Sequence, residues 1–172
     1  MSMVAAPVDV LRPEGFRRVV GWLAERGHRH EPRWLDVAAR TCEQAATALE
    51  VQTGQIAKSV IFRHQIDGVA VLVVTSGDRR VDLHKVAAQL GLTPAELGRA
   101  DAAFVKQQTG FSIGGVAPVA HVCAPMVLVD SALFRFEEIW AAAGHPHGVF
   151  CLSPAELVAM TGAPVADVVE VL

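Results

Sequence analysis

At 172 residues, 52% of them hydrophobic, the chain is long enough to enclose one core and is expected to form a single domain. A formal net charge of −3 gives no global pull toward nucleic acid, and no apolar stretch approaches the ~20 residues that a membrane helix needs. The three cysteines, Cys42, Cys123 and Cys151, are odd in number and lack a CxxC spacing, which argues against a disulfide framework or a zinc ribbon.

The start, Met1 to Val10, has no basic leader and runs into Leu11-Arg12-Pro13-Glu14, unlike a signal peptide. We therefore expect a cytoplasmic protein with a short tail over 1–11 and one domain over 12–172. From Pro13 to Arg26 the residues Phe16, Val19, Val20 and Leu23 make a helical stripe that Gly27 ends. His28 to Trp34 reads as extended. Thr41 can cap a short helix to Leu49, with Gln44 three residues on. Strands are expected over Ile56–His64 and Val69–Thr75, joined by the hairpin signal Asp67-Gly68 and followed by a turn at Thr75-Ser76-Gly77-Asp78. Val81–Leu90 is a helix closed by Gly91. Thr93-Pro94-Ala95-Glu96 opens a short helical turn, and Asp101 caps a turn leading to Gln108. Short buried strands are expected at Val119–Cys123 and Met126–Asp130, then a helix from the cap Ser131 through Ala143. A strand at His147–Leu152, a helix opened by Ser153-Pro154-Ala155-Glu156 and an extended Val165–Val171 complete the chain. Hairpins mixed with helices, without regular βαβ alternation, predict an α+β fold with a curved, mixed sheet.

Lys58 carries the strongest chemical signal. It interrupts the apolar run Gln55-Ile56-Ala57-Lys58-Ser59-Val60-Ile61-Phe62, and it is one of only three lysines against twelve arginines. An ammonium in a half-buried strand calls for an anionic partner, either a carboxylate such as Asp130 or a ligand phosphate. The second signal is Thr109-Gly110-Phe111-Ser112-Ile113-Gly114-Gly115-Val116-Ala117-Pro118. Gly114 and Gly115 let the backbone approach a ligand closely, and consecutive amides can hold an anion or oxyanion. An ordinary tight turn is the plain alternative. Phe111 and Ile113, in the same segment, join the candidate substrate contacts.

His121 follows the loop, and His145 and His147 flank Pro146; each can position water or a ribose hydroxyl, or make a structural hydrogen bond. No HExxH or other metal spacing accompanies them, so no metal is expected. There is no Gly-x-Ser-x-Gly elbow, and Cys123 and Cys151 read as buried structural thiols. A hydrolase built from these parts would work by positioning and backbone electrostatics. The charge is uneven: residues 1–40 hold seven arginines against five acids, the remainder eight basic residues against thirteen acids. Arg12, Arg17, Arg18, Arg26, Arg29 and Arg33 form either a solvated helix face or a patch for an RNA backbone.

The strand Gly54 to Phe62 and the loop Gly114-Gly115-Val116-Ala117-Pro118 together resemble the two signatures of the YbaK/prolyl-tRNA synthetase-associated editing domains. The resemblance extends over roughly 12–170, through the helices at Thr41–Ala46 and Val81–Lys85 and the segments Asp130–Leu133 and Trp140–Gly144. It implies a mixed, barrel-like sheet surrounded by helices, and hydrolysis in trans of tRNA mischarged with a small amino acid (Ala, Ser, Thr or Cys), of the prolyl-tRNA type. Lys58 would hold the phosphate at the terminal adenosine, and the amides of Gly114 to Pro118 would polarise the ester carbonyl. No metal or cofactor is implied. The partners would be the acceptor end of a mischarged tRNA and a synthetase. Two departures stand out: His145-Pro146-His147-Gly148 lacks the Asn that some relatives carry there, and Ala117 replaces a proline or polar residue. Against this stand a non-catalytic nucleotide or RNA-end binding module, a synthetase-associated accessory protein and, more remotely, a thiol hydrolase using Cys151.

Overall fold

The computed structural model describes residues 11–172, so the readings made on Met1 to Val10 lie outside the described residues. Helix α1, Glu14–Glu25, buries Phe16, Val19 and Leu23 along the expected stripe. Strand β1, Arg33–Trp34, begins directly after Pro32, which has no N–H to give to a ladder. Helix α2, Cys42–Leu49, begins as its sequence suggests: the Thr41 hydroxyl accepts from the Gln44 amide at 3.1 Å. The Gln44 side chain in turn accepts from the Arg40 amide at 2.9 Å.

Strands β2, Ile56–His64, and β3, Ala70–Ser76, form the central antiparallel hairpin, with Lys58 opposite Thr75. All of β3 is buried, which its run of β-branched residues permits. Helix α3, Leu83–Leu90, is capped by Asp82 and closed by Gly91 in the left-handed conformation. A three-residue strand β4, Leu97–Arg99, leads to α4, Ala102–Thr109, a full helix where only a turn was expected; Asp101 caps it through the Phe104 amide at 2.8 Å. Strands β5 (Met126–Asp130), β6 (Ile139–Ala142) and β7 (Gly148–Leu152), helix α5 (Pro154–Thr161) and strand β8 (Val165–Ala166) complete the α+β fold.

The sheet order is β1-β7-β6-β2-β3-β5-β8, with β4 also paired to β2. Parallel pairs (β2 with β6, β3 with β5, β5 with β8) mix with antiparallel ones. One edge of β2 is filled by β3, and the other by β6 at Ile56 and Ala57 and by β4 at Phe62, Arg63 and His64. Residues 58–61 are left without a strand neighbour on that second edge. The main core lies under α1 and α4, where Phe16, Leu23, Phe111, Phe150 and Leu157 meet, and a smaller one lies under α3.

Two further expected elements differ. No helix runs from Ser131 to Ala143: Asp130, rather than Ser131, is the cap of a 3-10 turn over Ser131–Arg135, and β6 follows. Ile139 and Ala141 point inward while Trp140 and Ala142 are half-buried, a period of two that suits the pairing beside β2. Val119–Cys123 is not a strand. Pro118 has no N–H to give, and Ala120 turns the chain with φ +65°. The amides of Val122 and Cys123 instead satisfy the carbonyls of Thr109 and Gln108 at the end of α4, which leaves Cys123 exposed rather than buried.

Candidate active site

The unpaired edge of β2 opens onto a cavity of about 360 Å³. Its walls are the β2 residues Ile56 to Ile61, the start of α2 (Arg40, Thr41, Cys42, Ala45), Trp140, Ala141 and Ala142 of β6, the turn His145-Pro146, and Ile113, Gly114 and Val116 of the glycine loop. The topology leaves this edge open: the pairing of β6 with β2 ends at Ala57 and Ala141.

Lys58 has a partner other than those anticipated. Its Nζ donates to the Arg79 carbonyl at 2.6 Å, in the turn after β3, which leaves two N–H donors and the full positive charge available. Asp130 is not its counterion; that carboxylate is wholly buried and accepts from the amides of Ala132 and Val168. A second cation, Arg40, lines the same cavity, a residue the motif reading missed although it directly precedes the Thr41 cap.

Gly114 has φ +97°, a conformation that a side chain would strain. At Gly115 an added Cβ would fall 2.6 Å from the His145 Cα, so the loop is pressed against the His145 backbone. The five loop residues are not equivalent. The Gly115 amide is spent on the Ser112 carbonyl at 3.2 Å, and Pro118 has no amide proton. Among the described residues the amides of Gly114, Val116 and Ala117 donate to no protein acceptor. Gly114 and Val116 line the cavity, whereas Ala117 is buried behind it and Pro118 faces a separate groove on the α1 side. Two cavity-lining donors, the amides of Gly114 and Val116, thus stand where five loop residues were anticipated.

The histidines divide. His145 lines the cavity, and its Nδ1 accepts from the His147 amide at 3.1 Å, so the neutral ring carries its proton on Nε2. Burial, and then the neighbouring His147 and Arg40, hold the His145 ring below the ordinary histidine range. His147 does not line the cavity: its Nδ1 bonds the Leu35 carbonyl at 2.7 Å and its ring stacks on Trp34 at 5.0 Å. Trp34 also stacks on His145 at 4.8 Å, with Arg12 over the Trp34 ring.

Phe111 and His121 also lie outside the cavity wall. Phe111 is buried beneath the Arg18 guanidinium, and His121 lines the α1-side groove and donates from Nε2 to the Ala117 carbonyl at 2.7 Å. His121 therefore braces the loop from behind, and burial lowers its pKa. Ile113 does reach the cavity and is exposed. Cys151 is buried in β7 outside the cavity, so it is not placed to act there. Cys42 does line it; burial raises its pKa, with the Lys58 charge opposing. Of the arginines that read as a solvated face or a patch for an RNA backbone, three make local pairings: Arg26 covers Trp22, Arg29 pairs with Glu156, and Arg18 bonds the Thr109 carbonyl.

Comparison with known proteins fits this geometry. Residues 36–160 match the aminoacyl-tRNA editing domain, a span holding Lys58, the glycine loop and His145. The chain is 35% identical over 123 residues to the uncharacterized protein YwhH of Bacillus subtilis, covering 72% of this chain and 76% of that one. It is 31% identical over 94 residues to a proline–tRNA ligase of Thermoanaerobacter, covering 55% of this chain but only 16% of the ligase. A solved structure of a candidate trans-editing enzyme for prolyl tRNA synthetase superposes with a TM-score of 0.85 at 38% identity, covering 93% of this chain and 99% of that one. The chain with its β2 lysine and glycine loop belongs to the aminoacyl-tRNA editing domain family, of the YbaK type.

Proposed function

We propose that this protein is a trans-acting deacylase that hydrolyses the ester of a tRNA, of the prolyl type, mischarged with a small amino acid. The observation that carries the reading is the meeting, in one cavity, of the Lys58 ammonium with loop amides that have no protein acceptor. A synthetase pocket cannot strongly reject a smaller amino acid, so a second site must remove the errors.

In this reading Lys58, with Arg40 beside it, holds the phosphate of the terminal adenosine. The ester carbonyl oxygen turns toward the amides of Gly114 and Val116. Water attacks the carbonyl carbon, and the amides stabilise the resulting oxyanion. The ester C–O bond then breaks, releasing the amino acid and a free ribose hydroxyl. His145, neutral and with its proton on Nε2, orients the water or a ribose hydroxyl; the substrate's own 2′-hydroxyl is a second candidate helper. The site of action would be the cytoplasm, beside a synthetase.

The test is a deacylation panel with tRNA carrying Ala, Ser, Thr, Cys or Pro on prolyl, alanyl and threonyl bodies. Hydrolysis of one mischarged pair is expected, with Lys58→Ala about 10- to 100-fold slower, the loss of one charge-assisted phosphate contact. No hydrolysis of any pair above buffer would overturn the enzyme and leave an RNA-end binding module anchored by Lys58.

A further inference from the structure

Outside the cavity, His30, Glu138 and Cys151 come together from three distant parts of the chain, and their donor atoms all lie within 4.8 Å of one another. The fold dictates this. His30 sits in the connector ahead of β1, Glu138 immediately precedes β6, and Cys151 lies on β7, which pairs with both strands. Cys151 is opposite Trp140, so Glu138, two residues earlier, is its diagonal neighbour on the same face.

Two further observations bear on what the cluster is for. Among the described residues, neither the His30 ring nitrogens, nor the Glu138 carboxylate, nor the Cys151 sulfur has a hydrogen-bond or ion-pair partner. The surrounding groups, by contrast, are satisfied. His28 Nε2 donates to the Cys151 carbonyl at 2.8 Å and fixes that backbone, and the Arg29 charge is neutralised by Glu156 at 3.0 Å. Three unspent donors are thus held inside a braced frame.

We propose that His30, Glu138 and Cys151 form a zinc(II) site with an open fourth position. Thiolate, imidazole and carboxylate together suit a borderline ion such as zinc and do not suit magnesium or calcium. Bonds of about 2.0–2.3 Å set tetrahedral donor separations of about 3.3–3.8 Å, a closure that side-chain rotation, chiefly of exposed Glu138, can supply. On binding, Cys151 releases its proton to solvent as the sulfur–metal bond forms, and His30 binds through a neutral ring nitrogen. Water completes the fourth position. The ion ties the α1–β1 connector to β6 and β7 and takes no part in the hydrolysis proposed above.

The test uses the full chain, treated with chelator, kept reduced and titrated with cobalt(II) as a spectroscopic probe. A thiolate-to-cobalt charge-transfer band saturating at one ion per chain is expected, displaced by zinc(II). The band should vanish in Cys151→Ser, in which Cys42 and Cys123 remain, and affinity should fall roughly tenfold or more in His30→Ala. Zinc should raise the thermal midpoint of the wild type and of neither variant. No band in the wild type, or a band of unchanged affinity in His30→Ala, would overturn the site, even if Cys151→Ser failed to fold.

Discussion

Lys58 and Gly115 show how far a single residue's meaning depends on its neighbours. Lys58 is oriented by one bond to the Arg79 carbonyl, so the turn after β3 decides where its charge points. In the sequence, Gly115 reads as a residue that lets the backbone approach a ligand closely. Its position shows a different need: it lets the loop touch the His145 backbone, and its amide already closes the turn to Ser112. Gly115→Ala is therefore expected to displace the loop and the His145 turn together. Stability should fall by about 1–3 kcal/mol, or about 2–12 °C in Tm, the usual range for overpacking. A thermal melt checks this, and an unchanged melting point would mean that the loop yields freely.

At the scale of an element, the start of α5 is the most charge-dependent. Ser153 and Glu156 form a reciprocal cap, and Arg29 reaches the same carboxylate. Burial alone would raise the Glu156 pKa. The Arg29 and Ser153 hydrogen bonds outweigh it and bring the pKa from 4.5 down to about 2. A carboxyl whose folded pKa lies below its unfolded value stabilises fully above the unfolded value, and that contribution is lost as pH falls toward the folded one. Stability should therefore decline between pH 4.5 and about 2, with a shallower decline in Glu156→Gln; urea midpoints through that window are the measurement. A parallel decline in both proteins would count against this assignment. The capping patterns at Thr41, Asp101 and Ser153 were legible because a cap is a local pattern. Ser131 misled for the same reason: Asp130, at the end of a strand, supplied the cap, and the pairing of β6 beside β2 overrode helical preference in Ile139–Ala142.

For the molecule as a whole, Asp130 fastens β5 to the C-terminal segment. One carboxylate oxygen accepts from the Val168 amide at 2.9 Å and the other from Ala132 at 3.0 Å, in a fully buried setting. Asp130→Ala would strand both amides, at a cost of about 2–5 kcal/mol. Chemical denaturation should show this as a lower midpoint with an unchanged slope, because the unfolding unit remains the whole sheet. A change confined to the end of the chain, with an unaltered global midpoint, would show that β8 frays independently. No helix among the described residues is long and apolar enough to cross a membrane, in keeping with the hydropathy of the sequence.

What the sequence determined by itself was local or ordered along the chain: the amphipathic stripe of α1, the caps, the Asp67-Gly68 hairpin, and the lysine strand followed by the glycine loop that together carry the family. These follow from side-chain periodicity and backbone preference over a few residues. Tertiary structure alone decided which histidine lines the cavity, that Phe111 and His121 support it from behind, and that Arg40 and Trp140 complete its walls. It also decided that His30, Glu138 and Cys151 share one corner. Such meetings depend on strand order and register, which long-range packing settles, and a shift of one residue in register would send each strand's side chains to the other face.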